Sequence, residues 1–312
     1  MARGPGFQER FRRNPKPNLS YHGAMRLLAT ADLHYNHPRS RGPADELIDR
    51  INEEPFDVLL LIGDTAVADG DALEQCLGRF TFAGPKLFVA GNHELWTHGP
   101  DSYRVFRQDL PRRVRDVGWQ WLQTDPFRAG DVAIVGSLGW YDYSFAQASL
   151  GIPRRFYKAK VSPGVAERLG EYAPLLEKSD DVGPLAREVV ARWNDGKFVK
   201  LHRSDDAFVD EMLAELRGQL EACRGARTVV AAVHVLPFAQ LLPPSRNAQW
   251  DFVKAYHGSA RIGELQLEFP NVRHVLCGHS HFPAEATVGH VRAVNIGSGY
   301  GWKTWTALDL SL

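Results

Sequence analysis

Residues 58–64 read VLLLIGD: five apolar side chains in a row, then a glycine, then an aspartate. A run this short that does not alternate has no wet face. It reads as a strand, Val58–Ile62, buried on both sides like an inner strand of a parallel sheet. Asp64 then falls on the loop at the strand's carboxyl end, where open α/β sheets collect their chemistry. Four other stretches share this form. LLATAD ends at Asp32 and continues to His34, KLFVAGN ends at Asn92 and continues through His93-Glu94, VVAAVH ends at His234, and HVLCGH ends at His279 and continues to His281.

Working outward, Arg26–Ala31 and Leu87–Ala90 are read as strands flanking Val58–Ile62. Helices are expected near Pro43–Asn52, with Pro43 in the first turn, and over Ala72–Phe82. This β-α-β-α-β rhythm calls for a mostly parallel sheet with helical crossovers. Val132–Leu138 is a further strand. From about residue 141 to 204 the chain is aromatic and charged without a strand pattern, and reads as an insertion of loops and helices. Asp205–Cys223 is a helix with Ser204 as its cap, Phe208, Met212, Leu213, Leu216 and Leu220 lying on one face. Strands follow at Thr228–Val233 and Arg273–Cys277. Ala284–Val288, Val291–Ile296 and Thr304–Leu308 are expected as a meander in a second sheet.

The strand-end residues carry the chemistry. Asp, Asn and His are ligands for divalent ions of intermediate hardness. In an extended segment, residues i and i+2 point to one side, so Asp32 with His34, and His279 with His281, are expected to face a common cleft. Glycines before Asp64, Asn92 and His279 permit close backbone approach. Asp64 has two oxygens and can bridge two ions. Two divalent ions bring four positive charges, against which Asp32, Asp64 and a bridging hydroxide return three. The centre stays net positive and attracts a phosphate ester, and a pair of ions roughly 3.5–4 Å apart acidifies a shared water and clamps the attacking and leaving oxygens.

Composition bounds the partners. Lys plus Arg equals Asp plus Glu at 37 each, so no overall field draws the protein to a long nucleic acid or an anionic membrane. No run reaches the ~18 apolar residues of a membrane span. Three cysteines, Cys76, Cys223 and Cys277, read as lone thiols of a reducing compartment, hence a cytoplasmic protein, with Cys277 beside the double-histidine motif. Residues 1–24 are basic, proline-containing and without an apolar segment, and read as a disordered arm ahead of a domain over 25–312. His93-Glu94 with His98 misses the i, i+4 spacing of a zinc-protease helix. The aromatics after residue 139 offer two readings, a packed lid or a surface on which a base stacks at ~1–3 kcal/mol. Trp140, Tyr141 and Tyr143 are the candidate substrate-binding residues. Arg154, Arg155, Lys158 and Lys160 are either a basic edge for phosphate or a solvated surface.

With these residues in place, the order D-x-H, GD, GNHE, H, GHxH over residues 32–281 resembles the calcineurin-like metallophosphoesterase superfamily. The resemblance implies an α/β fold, a four-layer αββα sandwich of two mixed sheets flanked by helices. It implies that Asp32, His34 and His281 hold one ion, that Asn92, His234 and His279 hold the other, and that Asp64 bridges. His93 would contact phosphate and protonate the leaving oxygen. The usual aspartate three residues past the bridge is absent, since position 67 is Val, which leaves Asp69 or Glu94 to orient His93. Gly139–Tyr143 and the His234-x-x-Pro237 pattern are similar to bacterial phosphohydrolases of the same superfamily. The expected cofactors are two divalent ions among manganese, iron, zinc, nickel and cobalt, with manganese first. The expected activity is hydrolysis of a small phosphodiester or nucleotide. A phosphomonoesterase and a non-catalytic metal-binding scaffold are the alternatives.

Overall fold

Val58–Ile62 (β2) is buried at every position. In the computed structural model, which describes residues 23–312, it lies between β1 (Ala24–Thr30) and β3 (Lys86–Val89), parallel to both. With β4 (Gln120–Trp121) and β11 (Trp305–Ser311) these strands make a five-stranded sheet in the order β11-β1-β2-β3-β4. A six-stranded sheet faces it, ordered β5-β6-β7-β8-β10-β9. Its members are β5 (Phe127–Ala129), β6 (Val132–Ser137), β7 (Thr228–Val233), β8 (Val272–Cys277), β9 (Ala284–Val288) and β10 (Val291–Asn295).

Period-2 alternation sorts the apolar residues into layers. Met25, Leu27, Val58, Leu60 and Ile62 from the first sheet meet Ile134, Val230, Ala232 and Leu276 from the second. The opposite face of the first sheet, with Leu28, Leu59, Leu61 and Phe88, packs on Ala44, Leu47, Ile48 and Ile51 of helix Pro38–Glu53. The outer face of the second sheet packs on Leu216 and Leu220 of helix Asp205–Ala222 and on Ile262 and Leu265 of helix Ala260–Leu267. The architecture is the four-layer sandwich of two mixed sheets.

Several sequence expectations are corrected. The first helix starts at Pro38 rather than Pro43, because the His37 side chain accepts from the Arg39 N–H and Pro38 stands where no helical N–H is needed. The second ends at Gly78. The three last strands are not a meander. Only β9 and β10 pair as antiparallel neighbours, β10 then lies parallel to β8, and β11 crosses to the first sheet to pair antiparallel with β1 from Ala24↔Ser311 to Thr30↔Trp305. The short strands β4 and β5 had no pattern long enough to read. Ala24 already belongs to β1, and the rest of the expected arm, up to residue 22, lies outside the described residues.

The segment 141–204 forms short helices, among them Arg154–Lys158, Pro184–Glu188 and Asp195–Phe198, plus one isolated bridge between Val161 and Arg192. It has its own small core of Phe156, Ala166, Val182 and Ala186. Ser204 accepts from the Ala207 N–H and starts the long helix after it, as its sequence indicated. Among the described residues no helix is long and apolar enough to cross a membrane.

Candidate metal centre

The five loops converge at the carboxyl ends of the parallel strands, but not by way of extended segments. Asp32, His34, Asp64, His279 and His281 all have left-handed backbones, with φ of 58°, 43°, 53°, 70° and 54°. Such conformations cost a non-glycine residue about 1–3 kcal/mol each and persist where the surroundings over-determine them. Here the loops hold one another. The Asp32 N–H donates to Gly63 O at 3.0 Å, and His34 N–H to Asp64 O at 2.8 Å. Gly278 N–H donates to His234 O at 3.0 Å, and His279 N–H donates to both Asp32 carboxylate oxygens at 2.9 and 3.1 Å. Glu94 closes the arrangement from below. Its buried carboxylate accepts from the backbone N–H groups of Asp64, Thr65, Ala66 and Gly91 at 2.6–3.0 Å. A Cβ on Gly91 would stand 2.3 Å from Asp64 Oδ1, and one on Gly278 2.5 Å from Asp32 Oδ2, so both glycines are required for close approach.

Two groups of donor atoms result. Asp32, His34, Asp64 and His281 form one, and Asp64, His234 and His279 the other, with the atoms of each group within 4.8 Å of one another. Asp64 belongs to both. Its Oδ2 lies 3.7 Å from His34 Nε2 and its Oδ1 3.2 Å from His234 Nε2. His234 Nδ1 sits 2.9 Å from Ile62 O and His279 Nε2 3.1 Å from Tyr256 O. With its Nε2 donating, neutral His279 keeps a lone pair on Nδ1, the orientation a metal ligand needs. For His234, burial is outweighed by the Asp64 and Asp32 charges, which hold it up at about 9, so its ring carries a proton that a metal ion would displace. The Asn92 side chain donates through Nδ2 to Asp195, while its Oδ1 is buried with no hydrogen-bond partner. A buried carbonyl oxygen left open beside two carboxylates and four imidazoles fits a cation.

The electrostatics agree. Burial, reinforced by neighbouring imidazoles, holds His34 and His279 well below the ordinary histidine range, and burial pushes His281 down to about 4, so all three offer neutral rings. Burial pushes Asp32 up to about 7, with Asp64 adding repulsion against the pull of His234. Burial also acts to raise Asp64, but His234, His93 and His34 outweigh it and hold that carboxyl well below the usual range. Two carboxylates desolvated together are stable as anions only beside positive charge. Lys303, whose sequence position gave no signal, is buried under this loop. It donates to Asp32 O at 2.5 Å and Ser40 Oγ at 3.1 Å, and burial lowers its pKa to about 8.

His93 Nε2 lies 3.9 Å from Asp64 Oδ2, at the edge of both groups. Neither carboxylate suggested as its orienter touches it. Asp69 accepts from Thr97 Oγ1, His98 N–H and His98 Nδ1, and Glu94 is occupied by the backbone donors above. His93 instead stacks on Trp96, ring centroids 3.6 Å apart and planes 23° from parallel.

A cleft of about 590 Å³ opens over the cluster. Trp96, Trp193, Trp250 and Tyr300 form its aromatic wall, and Arg192 and Arg246 lie at its margin. Tyr300, from the glycine-rich turn at 297–301, stacks on His34 at 4.7 Å. Trp140, Tyr141 and Tyr143 do not line this cleft. Trp140 and Tyr143 are tied to Asp205, Tyr141 to Asp195, and all three are packed inside, away from the cleft over the cluster. Arg154 and Lys158 pair with Asp206, Arg155 with Asp181 and Lys160 with Asp205, which removes them as a free basic edge. Cys277 is buried with its thiol toward Val294 O, outside both donor groups. Asp195, Trp96, Trp193 and Tyr300 are the residues sequence reasoning missed. Only Tyr300 had a local signal, its glycine-flanked turn.

A family model described as calcineurin-like phosphoesterase matches residues 25–283. An [acyl-carrier-protein] phosphodiesterase, PptH, from Mycobacterium tuberculosis is 25% identical over 285 residues, spanning 88% of this chain and 78% of that protein. The crystal structure of phosphopantetheinyl hydrolase (PptH) from the same organism superposes with a TM-score of 0.64 at 22% identity, covering 88% of this chain and 89% of the other. A dimetal phosphatase from Danio rerio matches with a TM-score of 0.49 and 14% identity over 93% of this chain and 94% of its own.

Proposed function

The chain belongs to the calcineurin-like phosphoesterase family and is a metal-dependent phosphoesterase; from that premise we propose that it uses two divalent ions to hydrolyse a small phosphodiester. The observation that carries the two-ion reading is the shared Asp64, common to both donor groups, together with the buried, unpartnered Asn92 Oδ1. Asp32, His34 and His281 would hold one ion, Asn92, His234 and His279 the second, and Asp64 would bridge them. Ions bound there would supply Lewis-acid charge and acidify water for attack on phosphorus.

The chain's own residues supply the rest. Neutral His34, His279 and His281 leave the centre's charge to the two carboxylates, so the bound state keeps a positive excess for the phosphate. His93 stands at the cluster's edge, where its imidazole can donate a proton to a departing alkoxide. Tyr300 and the tryptophans exclude water from one side of the cleft and offer flat surfaces to an organic leaving group.

The relative's activity favours a diester over a monoester, and a phosphodiester that joins a phosphopantetheine arm to a carrier protein belongs on the substrate panel. The test is elemental analysis of the purified protein, paired with hydrolysis of bis-p-nitrophenyl phosphate, p-nitrophenyl phosphate and a phosphopantetheinylated carrier protein with and without manganese. About two ions per chain and faster, chelator-sensitive cleavage of the diesters are expected. Preference for the monoester would reverse the substrate class, and one ion or none after reconstitution would sink the two-ion reading.

A further inference from the structure

We propose that Asp195, carried by the insertion, is a positioning residue that sets both the Asn92 ligand and the His93 ring. The proposal rests on the two-ion reading above. Asp195 is fully buried at the start of the short helix Asp195–Phe198. Its Oδ1 accepts from Asn92 Nδ2 at 2.9 Å and Trp96 Nε1 at 2.6 Å. Its Oδ2 accepts from Trp193 Nε1 at 2.7 Å and Tyr141 OH at 2.9 Å. An ionised carboxylate only accepts, and its two oxygens offer about four lone-pair sites. Four donors therefore use it fully.

This arrangement decides which end of Asn92 faces the metal ligands. A side-chain amide is nearly symmetric in shape, and its orientation follows from its partners. Because Asp195 can only accept, the Asn92 NH₂ must turn toward it. The Oδ1 must then turn away, and it is this oxygen that is buried without a partner. The carboxylate thus fixes the neutral oxygen ligand from behind, as the Ile62 carbonyl fixes His234 and the Tyr256 carbonyl fixes His279.

The same oxygen also holds Trp96, whose ring lies 3.6 Å from that of His93. Position 67 is Val, and the nearby carboxylates Asp69 and Glu94 are engaged elsewhere. Trp96 therefore restrains one face of the His93 ring, which also meets His34 edge-on at 4.5 Å, and Asp195 restrains Trp96. Through one carboxylate the insertion governs a metal ligand and a proton donor on adjacent residues.

Asp195→Asn and Trp96→Phe separate the two effects. Asparagine keeps the shape but presents an NH₂ to donors that need an acceptor, and phenylalanine keeps an aromatic face while losing the indole N–H. Cobalt(II) binding is measured by titration calorimetry, with melting curves to confirm folding and kcat and KM on diesters with good and poor leaving groups. Wild type is expected to take up two ions. Asp195→Asn is expected to keep one and bind the second about 10–100-fold more weakly. Trp96→Phe is expected to keep both and to lose kcat several-fold more on the poor leaving group than on the good one. Weaker binding common to both substrates does not move that ratio, and an equal loss on both overturns the link to His93. Two ions bound by Asp195→Asn as tightly as by wild type overturns the proposal while leaving the two-ion reading intact. Fewer than two ions in wild type overturns both. If Asp195→Asn does not fold, Tyr141→Phe, which removes one donor from the other oxygen, gives the same reading: a weakened second ion supports the proposal and an unchanged one overturns it.

Discussion

The strand-end loops and the insertion reach the same site by opposite routes. Each loop is short and follows a strand that is buried at its carboxyl end, and three of the five, those of Asp32, Asp64 and His279, place their side chains through strained, left-handed residues held by their neighbours' backbones. The insertion is long, has no strand of its own among the described residues, lends Arg192 and Trp193 to the cleft, and reaches Asn92 through the side chain of Asp195. The loops bring donor atoms to the centre. The insertion aims two of the groups already there. A scaffold of rigid strand ends makes the chemistry available, and an irregular segment laid against it can tune that chemistry without supplying a ligand.

The harshest way to break this division is at Asp64, the residue both donor groups share. Asp64→Asn removes the bridging charge, and the new amide would face His234 and the backbone N–H of His93, which now contacts Asp64 Oδ1. Both ions should be lost or greatly weakened, with activity down by more than ~10³-fold. Metal analysis showing two ions retained would end the bridging assignment. His93→Ala comes next. It should leave both ions in place and slow turnover about 10²- to 10⁴-fold, most strongly for poor leaving groups. An equal loss for all leaving groups would argue against proton donation by His93.

The insertion can be loosened without touching the site. Phe156 is wholly buried in the small core with Ala166, Val182 and Ala186. Phe156→Ala should cost about 3–5 kcal/mol in that region, seen as faster hydrogen exchange confined to residues 150–190. If the two regions divide the labour as described, the donor group of Asp32, His34 and His281 should keep its affinity. Exchange that spreads into β2 and β3 would show the insertion and sheet to be one cooperative unit.

Legibility followed the same boundary. The seven ligand candidates stood out because each ends an apolar run or lies two residues past its end, so local sequence encodes both the strand and the side chains placed at its tip. The left-handed backbones of five of them, Asp32, His34, Asp64, His279 and His281, were not readable. Asp and His enter the left-handed region more readily than most residues but still at a cost, and only contacts between distant loops decide. β11 was readable as a strand but not as the edge of the first sheet, since pairing with β1 joins residues nearly 300 positions apart. Asp195 read only as part of a polar stretch of the insertion and could not be placed against the site, because three of its four donors come from the distant residues 92, 96 and 141. Trp140, Tyr141 and Tyr143 misled for a related reason. An aromatic cluster has the same composition whether it packs or binds.

That last distinction gives the smallest and cleanest contrast. Tyr143 donates its hydroxyl to Asp205, which also accepts from Trp140 Nε1 at 2.8 Å and Lys160 Nζ at 2.6 Å. Burial and the Asp205 charge hold the Tyr143 hydroxyl far above the usual tyrosine range, so it is a donor at every working pH. Tyr143→Phe takes away one of three donors to a nearly buried carboxylate and opens no cavity. The ion pair with Lys160 survives, so the cost should sit near the low end for a hydrogen bond to a charged group, roughly 1.5 kcal/mol. Because the ring lies outside the cleft wall, KM for bis-p-nitrophenyl phosphate and the number of bound ions should be unchanged. Chemical denaturation and steady-state kinetics on the same preparation decide between the two roles. A supporting residue lowers the denaturation midpoint and leaves KM alone, whereas a raised KM at unchanged stability would return Tyr143 to the substrate's side of the wall.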